Sequence, residues 1–213
     1  MFYLFLKIQF THQQLFIMIK EYKIPKETFI GGWFIEPKVC DEIIEYFKST
    51  PDSFKKSGEA YELSKSVVNK KVKDSTDINI THTFLISPFD KYRKQLQECL
   101  EQYFKKYPDA ERFPRFNINS SYNIQYYKPG GGFKEWHAER VSATSMNRVL
   151  VFMTFLNDVP DGGTMFKHQK ITVPAKKGLT LFWPTDWTHT HKGQVSKKYE
   201  KYIATGWYTI NDF

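Results

Sequence analysis

Cysteine is scarce in this chain: its 213 residues include only Cys40 and Cys99, both in stretches that read as helix. Two such thiols supply neither a disulfide framework nor a CxxC metal site, and they favour a reducing, cytoplasmic setting. Long hydrophobic runs are missing as well. The apolar N-terminal stretch is interrupted by Lys7, Gln9, His12, Gln13 and Gln14, so no membrane span is expected. It also lacks the basic start, unbroken apolar centre and small-residue cleavage site of a signal peptide. Clearly domain-like text begins just after Met18, an alternative start, and residues 1–20 are set aside as a possible extra segment. Nor are there internal repeats, Pro/Gly/Ser-rich linkers or an arginine-rich stripe. The formal charge of +8 comes from dispersed lysines, densest from Phe54 to Lys73. Without a recognised DNA-reading motif beside it, that run reads as solvated surface, with an anionic partner such as nucleic acid or an acidic peptide as the other reading.

What the chain does have is core material. Hydrophobic residues make up 41%, aromatic residues 17% and charged residues 25%, a balance that excludes disorder and suits one domain, 1–213, with a full core. Residues 21–118 read as a helical support region. From Glu36 to Ser49, Val39, Ile43, Ile44 and Phe47 share one helical face, and Pro37 suits the first turn. A second helix runs from Pro88 to about Lys106, with Ser87 as its expected cap and Tyr92, Leu96, Cys99, Leu100 and Tyr103 as its stripe. Residues 119–213 change to short β-branched and aromatic runs. Strands are expected at Ser121–Tyr127, Lys134–Glu139, Asn147–Leu156, Gln169–Val173, Leu179–Trp183, Thr188–Lys192 and Lys201–Thr209. Turn signals at Pro129–Gly132 and Asp161–Gly163 separate them, so the class is mainly β with flanking helices, a sandwich or small barrel.

The chemistry lies in Trp136-His137-Ala138-Glu139, followed 54 residues after His137 by His191. Side chains two apart on a strand point the same way, so His137 and Glu139 can grip one cation together. A distant histidine completes a two-histidine, one-carboxylate face that leaves metal positions open for an oxidant and a cosubstrate. Taken alone, His-x-Glu is a weak signal. Lys201 strengthens it, because a lysine inside a barrel is a costly buried charge unless an anion pairs with it, and a dicarboxylate cosubstrate provides that anion.

From about Tyr122 to Tyr208 the sequence resembles the catalytic domain of the prolyl 4-hydroxylase-like iron(II)/2-oxoglutarate oxygenases. Their pattern is a His-x-Asp pair, a distal histidine and a Lys or Arg ten residues after it, the step from His191 to Lys201. Tyr127, ten residues before His137, resembles the family tyrosine that lies against the cosubstrate, and Asn157-Asp158-Val159 with Gly162-Gly163-Thr164 resembles the turn after the long buried strand. The resemblance implies a double-stranded β-helix holding iron(II) at His137, Glu139 and His191. It also implies 2-oxoglutarate paired with Lys201, O2 as oxidant and ascorbate as reductant. The reaction it implies is hydroxylation of a C–H bond, coupled to breakdown of 2-oxoglutarate to succinate and CO2.

Several positions depart from the pattern. Glu139 stands where aspartate is usual, and its extra methylene must fold back to reach the metal. His189, two residues before His191, is the rival distal ligand, and the ten-residue count to Lys201 favours His191. Phe155 replaces a cosubstrate-binding tyrosine found in several relatives, with Thr205 as a compensating hydroxyl. His12, His82 and His168 have no matching partners. Trp136, Trp183, Trp187 and Trp207 cluster around the motif in sequence, and most are expected in the core; Arg140 and Arg148 are candidates to meet an anionic substrate. The expected substrate is a protein or peptide, with proline first by resemblance. Free amino acids or other small molecules stay open, as does nucleic acid, which is disfavoured because the arginine-rich anchor of that branch is absent. The other class of reading is a non-catalytic β-barrel binding module. No feature of the sequence chooses an oligomeric state.

Overall fold

The strands form two main sheets of unequal size and, among the described residues, two further two-stranded pairs. We describe a computed structural model covering residues 19–62, 65–112 and 114–210; the readings of residues 1–17, Met18 and His12 fall outside these. The larger sheet contains β1 (Gly31–Phe34), β2 (Lys56–Ser57), β3 (Thr76–Ile80), β4 (Phe116–Asn117), β5 (Tyr122–Tyr127), β6 (Arg148–Phe155), β9 (Leu179–Pro184) and β11 (Lys201–Ile210). The smaller contains β7 (Val159–Phe166), β8 (Ile171–Ala175) and β10 (His191–Gly193). The large sheet runs in the order β1-β9-β6-β11-β5-β3-β2, with β4 alongside β11, and the small one β8-β7-β10.

Alternation along β6 explains why the sheet has a layer on each side. Leu150 and Phe152 enter one buried cluster with Val39, Ile43, Leu96, Cys99 and Tyr103 of the helices α1 (Pro37–Ser49) and α2 (Phe89–Lys106). Val151, Met153 and Phe155 face the other way, joining Val159, Phe166, Val173 and Ala175 of the small sheet. Both faces are covered, so β6 is almost wholly buried, and period-two alternation of polarity is absent as a consequence.

Sequence and structure differ at four places that matter for the site. Lys134–Glu139 is not a strand: only the bridge between His137 and His191 pairs it, because the N–H groups of both Glu139 and Arg140 turn to the Thr185 carbonyl at 3.1 Å. Thr188–Lys192 is broken by a 3-10 turn, Trp187–His189, and pairing starts only at His191. Asp161–Gly163, expected as a turn, lies inside a strand, Val159–Phe166, whose register breaks between Val159 and Thr164; Asp161 there has φ 56°. Residues 21–118 also supply β1, β2, β3 and β4 beside the two helices. At the start of α2, Ser87 does not cap: Pro88 takes the cap position without a side-chain bond. The Ile86 carbonyl instead accepts the N–H groups of Phe89 (2.7 Å) and Asp90 (3.3 Å), which meets the need of a first turn for partners.

Candidate active site

His137 and His191 reach each other through the backbone before their side chains do anything. Each donates its N–H to the other's carbonyl, at 3.0 and 2.9 Å. Their imidazole centroids lie 4.3 Å apart. Each Nδ1 sits against the carbonyl two residues earlier, His137 on Glu135 at 3.0 Å and His191 on His189 at 2.9 Å. That contact puts the proton on Nδ1 and leaves an Nε2 lone pair free, the state in which histidine binds a metal. Glu139 Oε1 lies 3.6 Å from His137 Nε2 and 3.4 Å from His191 Nε2. Ligand atoms of the three residues all fall within 4.8 Å of one another, and two imidazoles with one carboxylate suit iron(II).

The electrostatics agree. Burial, helped by the neighbouring His191, lowers His137 to about 3. Burial alone pushes the Glu139 carboxyl up, but its close contacts with His191, His137 and the Arg148 guanidinium outweigh it and hold it at about 2. At neutral pH the site therefore offers a neutral imidazole and an ionised carboxylate, as metal binding requires.

The rings around the triad fix it. Phe133 stacks on His137 with centroids 3.5 Å apart and planes at 8°, while Trp183 packs edge-on against His191 at 5.0 Å. His189 is elsewhere: it is buried, its Nε2 meets the Thr28 carbonyl at 3.0 Å and its Nδ1 the Thr188 hydroxyl at 3.0 Å. It pins the 3-10 turn to the N-terminal segment, and the structure brings His191, not His189, to the triad. His168 packs against Trp187 at 6.4 Å, and the His82 carbonyl accepts a bond from Arg93.

A cavity of about 1770 Å³ joins the triad to Lys201, Tyr127, Thr205, Phe155 and Thr164 on its walls. Lys201 is 6% exposed, and among the described residues no carboxylate forms an ion pair with it. Its Nζ donates to the carbonyls of Gly162 (3.0 Å) and Gln194 (3.1 Å) and lies 5.1 Å from the centroid of Tyr127, its partner across β5 and β11. Burial lowers it to about 8. The Tyr127 hydroxyl points away, donating to Gln125 Oε1 at 2.7 Å. Thr205 donates to the Phe152 carbonyl at 3.1 Å, leaving only lone pairs for a ligand.

Thr164 was not singled out as a site residue by the sequence. It is buried, and among the described residues its only hydroxyl contact is the weak one to Met153 sulfur at 3.9 Å. Its position opposite Gly193 in the small sheet, and hence on the cavity wall, follows from register that the sequence does not disclose. Arg140 is fully engaged with the Arg148 carbonyl and with Asp186. The expectation of core packing holds for Trp183 but fails for Trp136, 37% exposed, and Trp187, 72% exposed. Trp136 lies at the cavity rim with Lys192 over its ring at 4.7 Å.

The donor set, two imidazoles and one carboxylate on a double-sheet barrel, is that of a candidate iron(II) centre of the oxygenase type. Residues 122–209 match the 2OG-Fe(II) oxygenase superfamily. Comparison with curated protein sequences finds no match. Solved structures similar to this one include a prolyl-4-hydroxylase from Pseudomonas putida, with TM-score 0.64 and 12% identity over 86% of this chain and 93% of that one. Another is the viral collagen prolyl hydroxylase of Paramecium Bursaria Chlorella virus-1, with TM-score 0.61 and 18% identity over 86% of this chain and 97% of the other. A third is a Trichoplax adhaerens prolyl hydroxylase in complex with a hypoxia inducible factor peptide fragment, with TM-score 0.61 and 13% identity over 81% and 77%. The matched region and the similar solved structures give this chain a 2OG-Fe(II) oxygenase, prolyl-4-hydroxylase-like fold with a candidate His/Glu/His metal triad.

Proposed function

We propose that this oxygenase hydroxylates a C–H bond in a protein or peptide, with a prolyl residue as the first substrate to try. In this reading His137, Glu139 and His191 hold iron(II), Lys201 holds the far carboxylate of 2-oxoglutarate, and Tyr127 and Thr205 line that end of the pocket. The iron supplies oxidising power from O2 and 2-oxoglutarate, with ascorbate as the reductant that keeps it ferrous. The observation that carries the reading is Lys201, a buried ammonium without a carboxylate partner, in one cavity with two histidines and a carboxylate. A dicarboxylate satisfies it, as burial of an unpaired charge demands. Phe155, Met153 and Ile203 make the neighbouring wall apolar and keep water from the reacting carbon.

The breadth of the cavity supports a large substrate. Small-molecule sites span roughly 300–1000 Å³, and this one extends past Tyr61, Lys65 and Ser66 on one side and Val141, Ser142 and Thr144 on the other. An extended chain fits such a groove. The arrangement forms one catalytic unit, with 119–213 as its core, and the two free buried thiols, Cys40 and Cys99, suit a reducing cytoplasm. Among the described residues no helix is long and apolar enough to cross a membrane.

The test is direct. Purified protein given iron(II), ascorbate and 2-oxoglutarate should show a weak visible metal-to-ligand band and form succinate slowly without substrate. With proline-containing peptides it should add the mass of one oxygen. His137→Ala should lose the band and the succinate; if wild-type protein shows neither, the chain is a non-catalytic barrel. Small metabolites and single-stranded nucleic acid complete the substrate panel, and oxygen added to one of these in place of a peptide replaces the peptide assignment.

A further inference from the structure

Glu139 has one more rotatable bond than aspartate, and a ligand that must fold back toward a metal loses that freedom on binding. Its second oxygen is not free in this structure. Oε2 accepts a hydrogen bond from the indole Nε1 of Trp207 at 3.0 Å and lies 3.6 Å from Arg148 NH1. Arg148 holds the same residue by its backbone as well, donating from NH1 to the Glu139 carbonyl at 2.8 Å. The Arg148 guanidinium stacks on the Trp207 ring, 3.6 Å from its centroid. Arg148 is anchored in turn, since its own carbonyl accepts bonds from Arg140 and from the Thr185 hydroxyl. Trp207 is fixed by its place on β11 opposite Val151 of β6.

We propose that Trp207 and Arg148 are positioning residues that clamp Glu139 through Oε2 and its backbone, so that Oε1 alone faces His137 and His191. The proposal rests on the metal-site reading above and assigns a task to two residues outside the triad. Its physical content is pre-organisation: the clamp removes the extra rotation of glutamate before a metal arrives. It also keeps Oε2 away from the metal, so that the carboxylate binds through one oxygen and leaves coordination positions open. An aspartate at 139, one methylene shorter, draws its carboxylate back from Trp207, so the side-chain half of the clamp is specific to glutamate, while the bond from Arg148 to the 139 carbonyl stays.

A double-mutant cycle read by metal affinity tests this without activity. Mn(II) binding to the full chain is measured anaerobically by electron paramagnetic resonance for wild type, Trp207→Phe, Glu139→Asp and the double variant, with near-ultraviolet circular dichroism to check packing. Loss of a partner behind a ligand costs about 10–100-fold in affinity, so Trp207→Phe is expected to weaken Mn(II) by about that factor in the Glu139 background and by less than about threefold in the Glu139→Asp background. If Trp207→Phe proves unstable, Arg148→Lys, which keeps the charge but loses the stacked plane and the bond to the 139 carbonyl, should weaken Mn(II) in both backgrounds, with the larger loss in the Glu139 background. Equal losses in both backgrounds overturn the clamp and leave the metal site standing. Absence of Mn(II) binding by wild-type protein overturns both.

Discussion

The backbone bridge between His137 and His191, with bonds of 3.0 and 2.9 Å, places the two imidazoles together independently of any side-chain contact. It follows that removing one imidazole should leave the bridge intact. His191→Ala is expected to lose metal binding by more than the roughly 10–100-fold that outer partners cost. Its chemical denaturation midpoint should stay close to that of wild type in the absence of metal. Titration with Mn(II) and a urea melt of the same sample measure the two quantities; a large fall in apo stability would show that the rings, not the bridge, hold the strands.

Lys201 sets a pH dependence for the cosubstrate. Burial lowers its folded-state value from the ordinary 10.5 to about 8. Between these values the unfolded chain binds more protons than the folded one, so this residue makes stability rise with pH from about 8 to 10.5. Cosubstrate binding runs the other way, because only the ammonium attracts a carboxylate. The Kd for 2-oxoglutarate should be flat below pH 8 and climb above it, by up to about tenfold per unit. Calorimetry with Mn(II)-loaded protein at a series of pH values reads this. Lys201→Met should weaken 2-oxoglutarate by about 10–100-fold at pH 7 through loss of a charge-assisted bond, abolish the climb, and leave Mn(II) affinity unchanged.

Tyr127 presents its ring to Lys201 and its hydroxyl to Gln125. Gln125 reaches Asp77 at 3.3 Å, and Asp77 pairs with the buried Lys73 at 2.8 Å. If the ring face is what the pocket uses, Tyr127→Phe keeps it, and 2-oxoglutarate affinity should change by less than about threefold, while Tyr127→Ala, which also removes a cation–π contact worth about 1–2 kcal/mol when desolvated, should cost tenfold or more. A larger effect for Tyr127→Phe would mean that the hydroxyl leaves Gln125 and turns to the cosubstrate. The same titration separates these outcomes.

The parts of the site legible in the sequence were those carried by residue type and spacing. His137, Glu139 and His191 converge as the motif implied, and β5, β6, β9 and β11 lie within a residue or two of their expected bounds. What failed was strand parity around the ligands. Glu139 faces His137 through a bend toward Thr185, not through strand alternation, and His189 leaves the face of His191 because a 3-10 turn ends between them. The bend depends on the Thr185 carbonyl of a distant element, whereas the turn closes on the local carbonyls of Asp186 and Trp187 and is tied from afar by His189 to the Thr28 carbonyl. The turn expected at Asp161–Gly163 differs for a related reason: these are turn residues, yet they lie in an irregular strand, Val159–Phe166, whose carbonyl at Gly162 holds Lys201. The Gly31-Gly32 start of β1 is poor strand text, and pairing with β9 on one side and with Lys20, Glu21 and Tyr22 on the other makes it one. The contact of Trp207 with Glu139 joins positions 68 apart, which composition and period never reveal.

Stability can be probed where the helices meet the large sheet, away from the site. The Tyr92 hydroxyl of α2 lies 2.9 Å from Thr154 Oγ1, which lies 2.8 Å from Thr180 Oγ1, which in turn donates to the Gly178 carbonyl. All three side chains are fully buried. With Thr180 as donor to a carbonyl, the chain runs one way: Tyr92 donates to Thr154 and Thr154 to Thr180. Tyr92→Phe removes only the terminal donor, and the expected loss is about 1 kcal/mol. Thr154→Val leaves the Tyr92 proton without an acceptor, while Thr180 keeps its bond to the Gly178 carbonyl, and should cost about 1–3 kcal/mol from one unsatisfied buried donor. In the double variant no tyrosine proton is left to strand, so its loss should fall below the sum of the two. Urea denaturation of the four proteins measures this, and strict additivity would mean that the three hydroxyls do not act as one chain.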